Sequence, residues 1–327
     1  MASALGKPRT IGLTLGMLLC VWVGCSEDAA PADGGPGTDL AADGSSDLLP
    51  PDLLPPCVHP QVVKQCTDGW CTIPAGCFLM GSPADETCRT SDEDQVRTTL
   101  SWSFEILATE VTQGQFYAAL GYNPAYYKGC GVNCPVELVS WHEAAAYCNA
   151  LSEGKSLPLC YECSDSGPTA KCKPRTGRSI YECGGYRLPT DAEWEYAYRA
   201  GTTTALYNGA LTECTGSDPT ADAVGWYDAN AEKKVHPTAQ KLANAWGLHD
   251  MAGNVWEWCH DELDRSRTVL AVTDPVGAED GATHTVRGGC WNFYVRFMRA
   301  ASHGSEKPSF KSIGLGFRCV RSMKKGP

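Results

Sequence analysis

Three stretches of the chain carry helical periodicity. Ser140 followed by Glu143 is a capping box, and Trp141, Ala144, Ala145, Cys148 and Leu151 recur behind it at helical spacing, which predicts a helix over about 141–152. Thr190 with Glu193 repeats the device ahead of Trp194, Ala197 and Tyr198, and Gly201 stands where a helix C-cap would close the element. Thr112 with Gln115 starts a third helix that ends near Gly121. Elsewhere Gly, Pro, Asn and Asp interrupt the apolar positions every few residues, so the remainder reads as turns and short irregular strands. No internal repeat is visible. The pattern is that of a low-regularity α+β domain over 72–322, preceded by a short cysteine-bearing lead-in at 57–71 and followed by a tail at 323–327.

The amino end follows a different pattern. Lys7 and Arg9 precede Ile11 to Val23, 13 residues that are almost all apolar, in a stretch without acids. That is the layout of a secretory signal over 1–24, too short to serve as a membrane-spanning helix. Val23 and Gly24 before Cys25 resemble the lipobox of bacterial lipoproteins, in which the cysteine is lipidated and becomes the first mature residue. Trp22 stands where that family usually has Leu, and simple cleavage with release is the other reading. From Ser26 to Pro56 there are seven acids, six Pro, four Gly and no Lys or Arg, the composition of a disordered tether. A flexible segment of that length spans about 30 Å root mean square, enough to hold a domain off a membrane surface.

Charge and sulfur narrow the function classes. With 27 basic and 38 acidic residues in 327, the formal charge is -11, which argues against a basic nucleic-acid-binding surface. The 18 cysteines point to an oxidising compartment. Setting aside Cys20 in the signal and Cys25 at its end leaves 16, an even number that allows eight disulfides. Cys160, Cys163, Cys172 and Cys183 lack standard zinc spacings and read as disulfide cysteines in an exported chain, and Cys130 with Cys134 reads as a stapled loop.

Several short motifs follow one another in order: Ile73 to Gly76 with Met80 and Gly81; Glu110 to Thr112; Pro135 and Val136 with Val139 to Trp141; Tyr186 to Thr190 with Glu193 to Glu195; Gly247 and Leu248 with Asp250 to Trp258; Arg287 to Gly289; and Gly316 to Arg318. This ordered set resembles the formylglycine-generating enzyme family, also called sulfatase-modifying factor domains, across about 250 of the 327 residues. The resemblance implies the family's fold, a loop-rich, disulfide-stapled variant related to C-type lectins with little regular secondary structure.

Asp250 and Glu257 are carboxylates seven residues apart around Gly253, an arrangement that supplies hard oxygen ligands while intervening carbonyls face inward. The resemblance places a calcium site here, formed by the side chains of Asp250 and Glu257 and the carbonyls of Gly253 and Val255. The competing reading is that the two carboxylates only receive backbone N–H bonds. The resemblance also implies a disulfide between Cys148 and Cys319, closing a loop of about 170 residues worth roughly 5 kcal/mol in the chain-entropy model.

Enzymes of the family that convert a sulfatase cysteine to formylglycine hold copper with two thiolates shortly after the carboxy-terminal Gly-Gly. In this chain Phe293 falls at the first of those positions and no cysteine follows until Cys319. Cys290 is read as a disulfide partner, with Cys259 the candidate, ahead of a displaced copper ligand. Cys290, Trp291, Phe293, Arg296, Arg299 and His303 are the candidate cleft, its arginines suited to an acidic or carboxylate ligand if they do not simply face solvent. His260 and Asp261 are an acid–base pair or, more simply, two exposed loop residues. No protease-type His pair, dinucleotide fingerprint or nucleophile elbow is present.

The sequence therefore supports an exported, lipid-anchored domain at the cell envelope, with Ser26 after Cys25 compatible with outer-membrane delivery, that binds a peptide, protein or glycan partner and calcium but not copper or nucleic acid. The alternative is an oxidoreductase of the formylglycine-generating type acting on a peptide cysteine or another small substrate.

Overall fold

The computed structural model describes residues 57–263, 271–278 and 281–326. The expected signal, Cys25 and the acidic segment lie outside these residues. Strands β1 (Cys66–Thr67), β2 (Trp70–Ile73), β3 (Gly76–Met80), β4 (Val96–Leu100) and β5 (Trp102–Leu107) precede helices α1 (Gln113–Leu120) and α2 (Trp141–Gly154). Strands β6 (Tyr161–Ser164), β7 (Lys171–Pro174) and β8 (Tyr186–Arg187) lead into α3 (Asp191–Arg199) and the short α4 (Pro219–Val224). Strands β9 (Trp256–Glu262), β10 (Ala271–Thr273), β11 (His284–Arg287), β12 (His303–Glu306), β13 (Leu315–Gly316) and β14 (Val320–Lys325) complete the chain.

The three helices begin where their caps predict. Thr112, Ser140 and Thr190 each accept a hydrogen bond from the backbone N–H three residues on, and Gln115, Glu143 and Glu193 reach back to the cap. Gly121 ends α1 in the left-handed conformation. At α3 the left-handed cap is Ala200, with φ 45° and ψ 43°, one residue before the expected Gly201, which itself has φ 88°. Two successive residues with positive φ make this turn, and the glycine takes the second.

A five-stranded antiparallel sheet runs β1-β2-β5-β14-β8, so an early strand and the last strand of the described residues both pair with β5: Ile106 faces Cys71 on one side and Val320 on the other. The lead-in is therefore part of the domain, and β14 carries order into the supposed tail. A four-stranded sheet, β12-β11-β9-β13, carries the second half of the molecule. Helix α3 packs against β3, β9 and β11, and α2 against β8 and the β6–β7 hairpin. Trp141, Trp194, Trp246 and Trp258 are buried between these layers, which is where most of the apolar area leaves water.

Charged residues also lie in this interior. Arg187 grips Glu193 through both Nη atoms at 2.6 and 2.7 Å, Arg287 meets Asp191 at 2.5 Å and Glu195 at 3.2 Å, and Arg199 meets Glu195 at 2.8 Å. All four of the glutamate and arginine side chains at 187, 193, 195 and 287 are essentially inaccessible. Fork-to-carboxylate geometry lets buried charges compensate one another.

Among the described residues six disulfides are present: Cys57–Cys77, Cys66–Cys71, Cys88–Cys214, Cys130–Cys134, Cys160–Cys183 and Cys163–Cys172. The stapled loop at 130–134 and the non-zinc reading of the 160–183 cluster agree with these bonds. Among the described residues no helix is long and apolar enough to cross a membrane.

Candidate binding site

The site grows from two left-handed glycines. Gly288 and Gly289, with φ 98° and 74°, turn the chain out of β11, and a Cβ on Gly289 would come within 2.9 Å of the Phe297 carbonyl. The segment 290–298 consequently folds back on itself over Trp256, which lies at the start of β9. Phe293 and Phe297 meet edge to face at 5.3 Å, and both face Trp256, at 5.8 and 6.1 Å. The Arg296 guanidinium covers the Tyr294 and Phe297 rings at 5.6 and 4.9 Å, within cation–π range. Trp291 donates through Nε1 to the Ile313 carbonyl and receives the edge of Tyr127, whose ring meets Tyr126. The segment 290–298 thus carries two groups of rings, one on Trp256 and one against the tyrosine loop, with Tyr126 65% and Tyr294 47% exposed. Exposed rings gathered on fixed loops suit recognition of another molecule.

Asn254 fixes these loops to one another. Its backbone carbonyl accepts from Trp291 N, its Oδ1 from His236 N, and its Nδ2 donates to Glu110 Oε2. Glu110 also accepts from Val255 N. Gly253 is required beside it, because a Cβ there would lie 2.2 Å from the Trp226 carbonyl. Glu137 holds the tyrosine loop from beneath: Oε1 accepts from Tyr127 N at 2.8 Å, while its other oxygen is buried without a partner. Burial pushes this carboxyl up to about 7.

Asp250 and Glu257, expected to bind calcium, are both buried and near enough for their charges to act on one another, but among the described residues no three His, Cys, Asp or Glu side chains gather as a metal cluster. Asp250 is buried, its Oδ2 accepts from Ala239 N, and its Oδ1 has no hydrogen-bond partner. Glu257 accepts from Arg318 on both oxygens at 2.6 Å and from Trp194 Nε1 at 2.8 Å. Burial, then the charges of Asp250 and Glu257, push Glu110 well above the usual carboxylate range. Arg318 pairs with Glu257 alone, and Glu110 and Asp250 lie within electrostatic reach of it, both raised by burial toward their neutral forms.

Other expected residues separate. Arg299 leaves the cleft: it is buried, paired with both oxygens of Glu93 at 2.6 Å and with Glu86 at 2.8 Å. His303 faces Asp92 at 3.5 Å. Both serve the 82–94 loop, whose acids lie about 200 residues away in sequence. His260 and Asp261 are neither exposed nor paired with each other: in β9, His260 meets the Tyr161 hydroxyl and Asp261 accepts from Asp191 N and Gly277 N. Burial lowers His260 to about 3 and raises Asp261 to about 8, with Asp191 adding to the latter.

Cys290 and Cys259 are not joined. Cys290 Sγ donates to Asn292 Oδ1 at 3.0 Å and fills the space beside Gly314, while Cys259 is fully buried in β9. Cys148 and Cys319 lie side by side, Sγ to Sγ 3.3 Å, in contact but without a bond. Sequence reasoning found the Gly-Gly segment but missed Tyr126 and Tyr127. The adjacent tyrosines ahead of a stapled loop were the available signal.

The scaffold is thus a loop-rich α+β domain that presents a ring-lined surface from a core braced by ion pairs and disulfides. A model of the sulfatase-modifying factor enzyme 1-like domain matches residues 57–323, and the chain belongs to that family. Chaperone protein LppX of Paenibacillus barcinonensis is similar, 34% identical over 279 residues that cover 78% of this chain and 92% of that protein. The formylglycine-generating enzyme of Thermomonospora curvata is 28% identical over 297 residues, 79% of this chain and 94% of it. Among solved structures, Treponema denticola variable protein 1 superposes with a TM-score of 0.66 at 28% identity, over 77% of this chain and 94% of that one.

Proposed function

We propose that this family member is an exported, lipid-anchored binding module of the cell envelope, which recognises a peptide, protein or glycan partner through the ring platform. The observation that carries the reading is the make-up of 290–298. Two of its rings pack on Trp256, and its one thiol, Cys290, is buried and turned to Asn292, while its other sulfur is the buried thioether of Met298. A copper(I) centre of the family's kind asks for two thiolates. The residues present do not fit it, since Phe293 and Phe297 offer no donor. Burial also pushes the Cys259 thiol far above its ordinary value, which holds it protonated.

Calcium fits the residues better. Asp250 Oδ1 is an unsatisfied buried oxygen and Glu257 Oε1 accepts one bond and keeps a second lone pair, to which the family resemblance would add the carbonyls of Gly253 and Val255. Such an ion would offset the charge of Glu110, Asp250 and Glu257 and stiffen the turn that carries Asn254. Six disulfides and the lipobox-like Val23-Gly24-Cys25 support export and anchoring.

The test is a tryptophan-fluorescence screen of the full chain against envelope glycans and peptides. The expected result is a ligand whose affinity falls at least tenfold in Tyr294→Ala and Phe293→Ala. A panel ligand that binds all three proteins equally would remove the platform from the account. Intact mass of the membrane-extracted protein should show lipid on Cys25, and Cys25→Ala should release the chain; an unmodified amino end would reject anchoring.

A further inference from the structure

We propose that a second site, in the disulfide-bonded excursion after α2, binds a phosphate group. The excursion, 155–183, is closed by Cys160–Cys183 and braced across β6 and β7 by Cys163–Cys172. In a chain of charge -11 it carries five basic residues, Lys155, Lys171, Lys173, Arg175 and Arg178, against Glu162, Asp165 and Glu182, a local balance of five minus three. Between its two limbs lies a cleft of about 340 Å³, lined by Arg175 and Arg178 with the hydroxyl-bearing Thr176 and Ser179. That volume falls in the range of small-molecule sites.

The donors in this cleft are uncommitted. Elsewhere in the molecule the arginines at 187, 199, 287, 299 and 318 all engage carboxylates. Arg175 and Arg178 are exposed and make no ion pair or side-chain hydrogen bond among the described residues. The backbone of Arg175 is nevertheless fixed, because its N–H donates to the Cys160 carbonyl at the neck of the excursion. The acid of the cleft, Glu162, is offset by Lys173 at 3.3 Å. A carboxylate ligand would be satisfied by one guanidinium fork. Two forks and two hydroxyls instead match the larger number of acceptor oxygens and the nearly double charge of a phosphate monoester. The apolar floor of Leu159 and Ile180 leaves room for a small organic group attached to it.

The experiment titrates the full chain carrying Cys25→Ser with inorganic phosphate, with succinate and with vesicles of phosphatidylglycerol or phosphatidylcholine, by calorimetry and co-sedimentation at low ionic strength. Phosphate binding that weakens at least tenfold in Arg175→Gln/Arg178→Gln, with an unchanged melting temperature, and that persists in Lys233→Gln, supports the site. Phosphatidylglycerol vesicles that bind through the same two arginines identify a lipid headgroup as the source. Vesicles that do not bind, with inorganic phosphate bound, identify a soluble ester, and both results support the site. No phosphate binding, equal binding by the double variant, equal loss in Lys233→Gln, or tighter binding of succinate would overturn it.

Discussion

Two loop regions of this molecule are held still by opposite means. Residues 250–261 are buried throughout and are fixed by charge and hydrogen bonds, chiefly Arg318 on Glu257 and Asn254 on three neighbouring segments. The 155–183 excursion is largely exposed and is fixed by two disulfides. Burial lets side chains define a loop, whereas an exposed loop has too little packing to do so and depends on covalent closure. The first kind of bracing unfolds with the core. The second restrains its own segment.

The comparison is tested most severely at Arg318. Arg318→Leu leaves Glu257, Glu110 and Asp250 buried without their countercharge, a loss of about 3–5 kcal/mol. The melting temperature should then fall by roughly 10 °C, read by circular dichroism. A fall no larger than that of an exposed-arginine substitution would show that the ion pair does not brace the loop. Removing the excursion's closure with Cys160→Ser/Cys183→Ser should have a smaller global effect, below the roughly 3 kcal/mol that the chain-entropy model allows for such a loop. It should instead speed proteolysis at Lys171 to Arg178; equal cleavage in both proteins would contradict local bracing. Non-reducing peptide mapping of the same samples should find Cys148 joined to Cys319 in the exported protein, and any other partner for either would refute that bond.

A chelator should lower the melting temperature by a few degrees if calcium occupies the turn, and Asp250→Asn should abolish that response. An identical melt with and without chelator rejects the ion. Glu137 adds a dependence on pH. Its carboxyl is raised from 4.5 to about 7, so across that window the folded protein keeps a proton that the unfolded chain releases. Its contribution to stability is greatest below pH 4.5 and declines as pH rises through 7. Glu137→Gln should flatten that part of the pH–stability curve, and an unaltered curve would deny Glu137 the role.

Helices α1, α2 and α3 were legible because a capping box is a local code: Thr112, Ser140 and Thr190 each sit three residues from their partner. The strands were not, since β8 and β13 are two residues long and β11 is buried on both faces, leaving no alternation to read. Pairings were equally hidden, because Arg299 meets Glu93 across 206 positions and Arg318 meets Glu257 across 61. Of the candidate cleft, Trp291, Phe293 and Arg296 were found from the Gly288-Gly289 turn. Arg299 was misplaced for the same reason that its partner was invisible, and Tyr126 is tied to the 290–298 segment only through Tyr127, whose ring meets Trp291 across the fold.

The proposed choice of binding over copper-dependent oxidation can be decided by incubating the full chain with Cu(I), oxygen and a peptide bearing the sulfatase cysteine motif, then following the peptide mass. A binding module leaves the peptide cysteine at its original mass; loss of its sulfur with turnover, converting it to formylglycine, would make the chain an oxidase.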